Sequence, residues 1–117
     1  MLWLHNLRRW REYAVLVACA VEKVVPNALV FVAGGAVEDR LTISSDIDVI
    51  VVLPHRPSFE EAVDLRTRIL EEAEKLGLPL TAPVEIHLVG QEDLKHYKTL
   101  VRVECRKPQH SIREHQG

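Results

Sequence analysis

The chain has 117 residues, 47% hydrophobic and 27% charged, with a formal net charge of −2. That is the size of one ordinary domain, too small for two, and it can bury a core without disulfides or a structural metal. The balance argues against broad electrostatic binding of nucleic acid as its main work. The longest apolar stretch near the start, 13–21, is too short to cross a membrane.

From Asn6 to Val25 the pattern predicts a helix. Leu7, Trp10, Ala14, Val17, Val21 and Val24 recur three and four apart, and Pro26-Asn27 ends the run. Residues 28–33 form a short β-branched run that stops at Gly34-Gly35, which predicts a buried strand. Residues 36–45 read as a loop. Asp46 to Leu53 predicts a second strand, closed by Pro54 and Pro57.

Ser58-Phe59-Glu60-Glu61 then has capping-box spacing. The helix after it is expected to send Phe59, Ala62, Val63, Ile69, Leu70, Ala73 and Leu76 to the core. Its acidic residues read as a solvated face, and Gly77 sits where a C-terminal glycine belongs. Residues 83–89 alternate strictly and predict a third strand, ended by Gly90. Gln91 to about Leu100 reads as a short helix. The domain is therefore expected over 1–102, with 103–117 a polar tail.

Cys19 and Cys105 have no Cys-x-x-Cys spacing, which argues against structural zinc. One disulfide is open to them. No apolar signal core follows Arg8, Arg9 and Arg11, so the chain reads as cytoplasmic and reduced. High charge with few Asn and Gln hints at a heat-adapted source.

Residues two apart on a strand share a face. Asp46 and Asp48 thus stand together with Ile50 and Val52, and Ile47, Val49, Val51 and Leu53 face the other way. Paired carboxylates repel unless a cation joins them, and Mg²⁺ suits such oxygen ligands. Glu85 reaches the same place if the third strand lies beside the second. Three acids on neighbouring strands suit a two-metal site for phosphoryl or nucleotidyl transfer. Gly34 and Gly35, between a strand and a helical turn, let backbone N–H groups approach a phosphate, and Arg40 is placed to neutralise one. His87 shares a face with Glu85, which leaves a second option, a transition-metal site using that histidine.

Gly34-Gly35, ten residues, then Asp46-Ile47-Asp48 and an apolar run resembles the signature of the DNA polymerase beta-type nucleotidyltransferase superfamily. The small size resembles its minimal archaeal and bacterial members, over about residues 28–90. The resemblance implies an α/β (α+β) fold, a small mixed sheet flanked by helices. It implies transfer of a nucleoside monophosphate from ATP or another nucleoside triphosphate to a hydroxyl, with Mg²⁺. Asp46, Asp48 and Glu85 match the catalytic metal ligands. Gly34 and Gly35 match the phosphate-binding turn, with Arg40 and Ser45 beside it. Many members have Ser where Gly35 stands, and most third acids are Asp where this chain has Glu85.

Minimal members are often paired with a helical HEPN toxin that they neutralise, some by adding AMP to one of its tyrosines. The resemblance therefore implies a HEPN-type partner or a homodimer, with Trp3, Leu4, Leu7 and Trp10 as a contact surface. A long nucleic-acid substrate would need another chain. A different class of function is a module that keeps the fold and neutralises a toxin by contact alone.

Overall fold

The computed structural model describes residues 10–33 and 46–106. Helix α1, Trp10–Val24, buries Trp10, Tyr13, Ala14, Val17, Ala18, Ala20 and Val21 along one stripe. Its expected start at Asn6 lies outside the described residues. Its end falls where Pro26 was expected to stop it, and Val25 N–H closes the last turn on Val21 O at 2.7 Å. Trp10 is buried, and the Arg11 guanidinium stacks 4.5 Å from its ring centre.

Strands β1 (Leu29–Ala33), β2 (Ile47–Leu53), β3 (Val84–Gly90) and β4 (Leu100–Val103) form one sheet in the order β3-β2-β1-β4. β1 runs antiparallel to β2 and β4, and β2 runs parallel to β3. The sheet is therefore mixed and the fold α+β. Helices α1 and α2 (Phe59–Lys75) cover one face. There Ile47, Val49, Val51 and Leu53 of β2 meet Val30 and Val32 of β1, Ile86 of β3, and Ile69 and Ala73 of α2. Burying each of these larger aliphatic side chains stabilises the fold by roughly 1.5–3 kcal/mol. The opposite face holds a smaller cluster, Ala33, Ile50 and Val52, partly covered by Leu94, Tyr97 and Leu100.

The start of α2 is as its sequence predicts. Ser58 Oγ accepts from Glu61 N–H at 3.1 Å, and Glu61 Oε1 accepts from Ser58 N–H at 2.9 Å. At its end Gly77 takes φ 118°, a backbone conformation that disfavours any Cβ. The core face of α2 needs correction. Phe59 is 82% exposed, and Val63 and Leu76 are exposed too. The inward stripe runs through Leu65, Ile69 and Ala73. Phe59 and Val63 project beside that stripe, and Leu76 lies past the last packed turn.

The segment after β3 also departs from its expectation. A 3-10 helix spans only Gln91–His96, and Leu100–Val103 is β4 rather than the end of a helix. Four residues show too little alternation to be read locally, and pairing with β1 decides their state. The first residues of the expected tail join the domain. Val103 pairs with Val30, and Cys105 forms a disulfide with Cys19 of α1, 86 residues away. The reduced state expected from sequence is thereby corrected. The cause is topological: β4 beside β1 brings Cys105 to α1, and nothing in the local sequence announces that crossing. Residues 107–117 lie outside the described residues. No helix among the described residues is long and apolar enough to cross a membrane.

Two contacts fix β3 against its neighbours. Arg66 of α2 donates from Nε to Ile86 O at 3.1 Å, covering part of the outer edge of the sheet. At Gly90 an added Cβ would come within 2.7 Å of the Arg56 backbone nitrogen, so the chain approaches there too closely for any other residue.

Candidate metal centre at the head of β2 and β3

Parallel pairing sets Asp48 opposite Glu85 and Ile50 opposite His87. Alternation turns Asp48, Glu85 and His87 to the face away from α1 and α2, while Ile47, Val49 and Ile86 enter the core. One donor atom from each of Asp48, Glu85 and His87 lies within 4.8 Å of the other two. His87 Nε2 stands 3.1 Å from Asp48 Oδ1 and 4.0 Å from Glu85 Oε1. The side chains are 42% (Asp48), 58% (Glu85) and 34% (His87) exposed, so a hydrated ion and a phosphate can both reach them. Two carboxylates and an imidazole on rigid strands are a donor set that fits a divalent cation.

The sequence-predicted residues divide into four groups. Asp48 and Glu85 come together as expected. Asp46 precedes β2, is exposed, and is not part of the three-donor group. Regular strand geometry begins only at Ile47, whose N–H bonds Pro83 O at 2.6 Å. The alternation that would put Asp46 beside Asp48 is therefore not enforced at that residue. Gly34, Gly35, Arg40 and Ser45 lie outside the described residues. His87, read from sequence as a secondary option, is a full member of the group. Its signal was the Glu-x-His alternation in a strand ending at Gly90.

Tyr97 was not singled out from sequence. It packs in the cluster of Ile50 and Val52 on the same face. Burial, followed by the charges of Asp93 and Asp48, raises its phenol above the ordinary tyrosine range. The other unforeseen arrangement lies at the far end of β2 and β3. Arg56, after β2, donates to Asp93 through Nη2 at 2.6 Å and Nε at 3.2 Å. Asp93 also accepts from Gly90 N–H at 3.0 Å. The Arg56 hydrogen bond, then that of Gly90, holds the Asp93 carboxyl below the usual carboxylate range. This fork ties the strand ends together and leaves the acidic head free for chemistry.

Comparison with known proteins bears on the family and the fold. No curated protein matches the sequence closely enough to count as a relative. A candidate nucleotidyltransferase from Sulfolobus solfataricus superposes with a TM-score of 0.57 at 18% identity, covering 86% of this chain and 84% of its own. At that identity the likeness speaks for the fold. Another candidate nucleotidyltransferase of solved structure is 25% identical over 73% of this chain and 90% of its own, with a TM-score of 0.45. A family model, the nucleotidyltransferase domain, matches residues 16–107, which is most of the sequence. With the mixed sheet and the carboxylates at the head of β2 and β3, that match makes this chain a member of the nucleotidyltransferase domain family.

Proposed function

We propose that the chain transfers a nucleoside monophosphate, AMP from ATP, to a hydroxyl of a partner protein or small acceptor. The observation that carries this reading is the juxtaposition of Asp48 and Glu85 on paired strands of a nucleotidyltransferase-family sheet. A bound divalent ion, Mg²⁺ in the simplest form, would polarise the triphosphate and stabilise the leaving group. Asp48 and Glu85 would hold it, and Asp46 at the mouth would complete a second ion position. Gly34, Gly35, Ser45 and Arg40 are the residues proposed to seat the phosphates. In the transfer, the acceptor hydroxyl oxygen bonds the α-phosphorus and releases its proton to solvent, the α–β phosphoanhydride breaks, and pyrophosphate leaves. The chain's own share is to orient the triphosphate and to concentrate negative ligand charge where the ion sits.

The acceptor we favour is a small helical HEPN-type protein. A cytoplasmic setting fits a triphosphate donor, and a disulfide in that compartment fits a heat-adapted chain. A second reading, neutralisation of the partner by contact alone, draws on Gly35 standing where many family members have serine. The test is transfer of label from [α-³²P]ATP to the product of the adjacent open reading frame. Transfer that is lost in Asp48→Asn supports catalysis. No transfer, with complex formation that survives Asp48→Asn, supports the binding module instead.

A further inference from the structure

His87 sets this cluster apart from one made of carboxylates alone. Two donors that share an ion about 2.1 Å away stand roughly 3.0 to 3.4 Å from each other in octahedral or tetrahedral coordination. His87 Nε2 and Asp48 Oδ1 already have that separation, at 3.1 Å. Glu85 Oε1, at 4.0 Å, is on a long exposed side chain and closes its gap by rotation about its own bonds. The spacing is set by the sheet. Glu85 and His87 are two apart on β3, Asp48 opposes Glu85, and the imidazole leans back along the strand onto Asp48.

The ligand chemistry then points away from Mg²⁺. Mg²⁺ demands oxygen ligands in near-ideal octahedral geometry and sheds its water reluctantly. An imidazole nitrogen suits Zn²⁺, Fe²⁺, Ni²⁺ and Cu²⁺ best, and Mn²⁺, the weakest binder of the first transition row and the most oxygen-seeking, is the most stringent probe of whether the nitrogen is used. We infer that Asp48, Glu85 and His87 form a mixed nitrogen–oxygen site that selects a first-row transition ion over Mg²⁺, with His87 Nε2 as the selecting ligand. This rests on the proposed role of Asp48 and Glu85 as ligands and changes which ion they serve.

The test uses the full chain, stripped of metal, titrated separately with MnCl₂ and MgCl₂ by calorimetry. The Mn²⁺-loaded protein is also examined by pulsed EPR for ¹⁴N coupling. Mn²⁺ should bind at least about tenfold more tightly than Mg²⁺, with one coupled nitrogen. His87→Ala and His87→Gln should both lose the coupling and weaken Mn²⁺ about tenfold or more, with Mg²⁺ affinity within about twofold of the parent. The glutamine variant keeps a hydrogen-bonding group beside Asp48, so it guards against simple collapse of the site. Equal loss of both ions in the two variants would mean that His87 only orients Asp48, and would overturn the inference. Coupling that persists in His87→Ala would assign the nitrogen to another histidine, with the same result. Nitrogen coupling without nucleotide transfer would leave this inference standing and remove the catalytic reading.

Discussion

The two faces of β2 are made from one seven-residue strand and do different work. Ile47, Val49, Val51 and Leu53 are all buried against α1 and α2 in the larger core. On the other face Ile50 and Val52 are just as buried, under Leu94 and Tyr97, but Asp48 at the head of the strand is half exposed beside Glu85 and His87. The helix-covered face is closed along its whole length. The other is closed only over its far half, and the open part carries the titratable groups. Stability is thus concentrated on one side and chemistry at one end of the other, and a substitution should reveal which side it touches.

The largest expected effect is on chemistry alone. Removing the charge in Asp48→Asn should lower nucleotide transfer on the order of 10³-fold, since a lost metal ligand withdraws several kcal/mol of transition-state stabilisation. The melting temperature should stay near that of the parent, because Asp48 is not in the core. A large fall in both would break the division between the faces. Next is the disulfide, which closes a span of 86 residues over the helix-covered side. The Cys19→Ser, Cys105→Ser double variant should lose roughly 4 kcal/mol of unfolding free energy by loop entropy. Denaturant melts with and without reductant would show it, with divalent-ion affinity unchanged.

Ile69→Ala, at a fully buried site under the sheet, should cost about 2–4 kcal/mol through the cavity it leaves. Its transfer rate per folded molecule should match the parent. The smallest effect is at the Arg56–Asp93 fork. Asp93 is held below its ordinary value, so its contribution is present above the usual carboxylate range and is lost as pH falls through the lowered value. Arg56→Ala should move the Asp93 titration, followed by carboxyl NMR shifts, back up toward that range. The ends of β2 and β3 should loosen while the head keeps its ion.

What could be read from sequence follows from how local each signal is. Alternation in β2 and β3, the Ser58–Glu61 box and the pairing of Asp48 with Glu85 all depend on neighbours within a few residues, or on two strands of clear pattern. Phe59 and Val63 misled because apolar character was read as burial, and the sheet lies under only one stripe of α2. β4 and the Cys19–Cys105 bond depend on a contact between distant parts of the chain, which no local spacing encodes. His87 was visible as a face-mate of Glu85, but it stands opposite Ile50, and its closeness to Asp48 depends on the direction its ring takes in the folded sheet.

The central claim is that, among the described residues, a divalent ion binds most tightly at the head of β2 and β3. It is tested most directly by paramagnetic broadening of assigned backbone amide signals as Mn²⁺ is added in small, substoichiometric steps. The account predicts that signals from Asp46 to Val49 and from Val84 to Leu88 broaden first, and that Asp48→Asn abolishes this. Broadening that begins instead on the acidic face of α2, around Asp64, Glu71 and Glu74, and survives Asp48→Asn would contradict it.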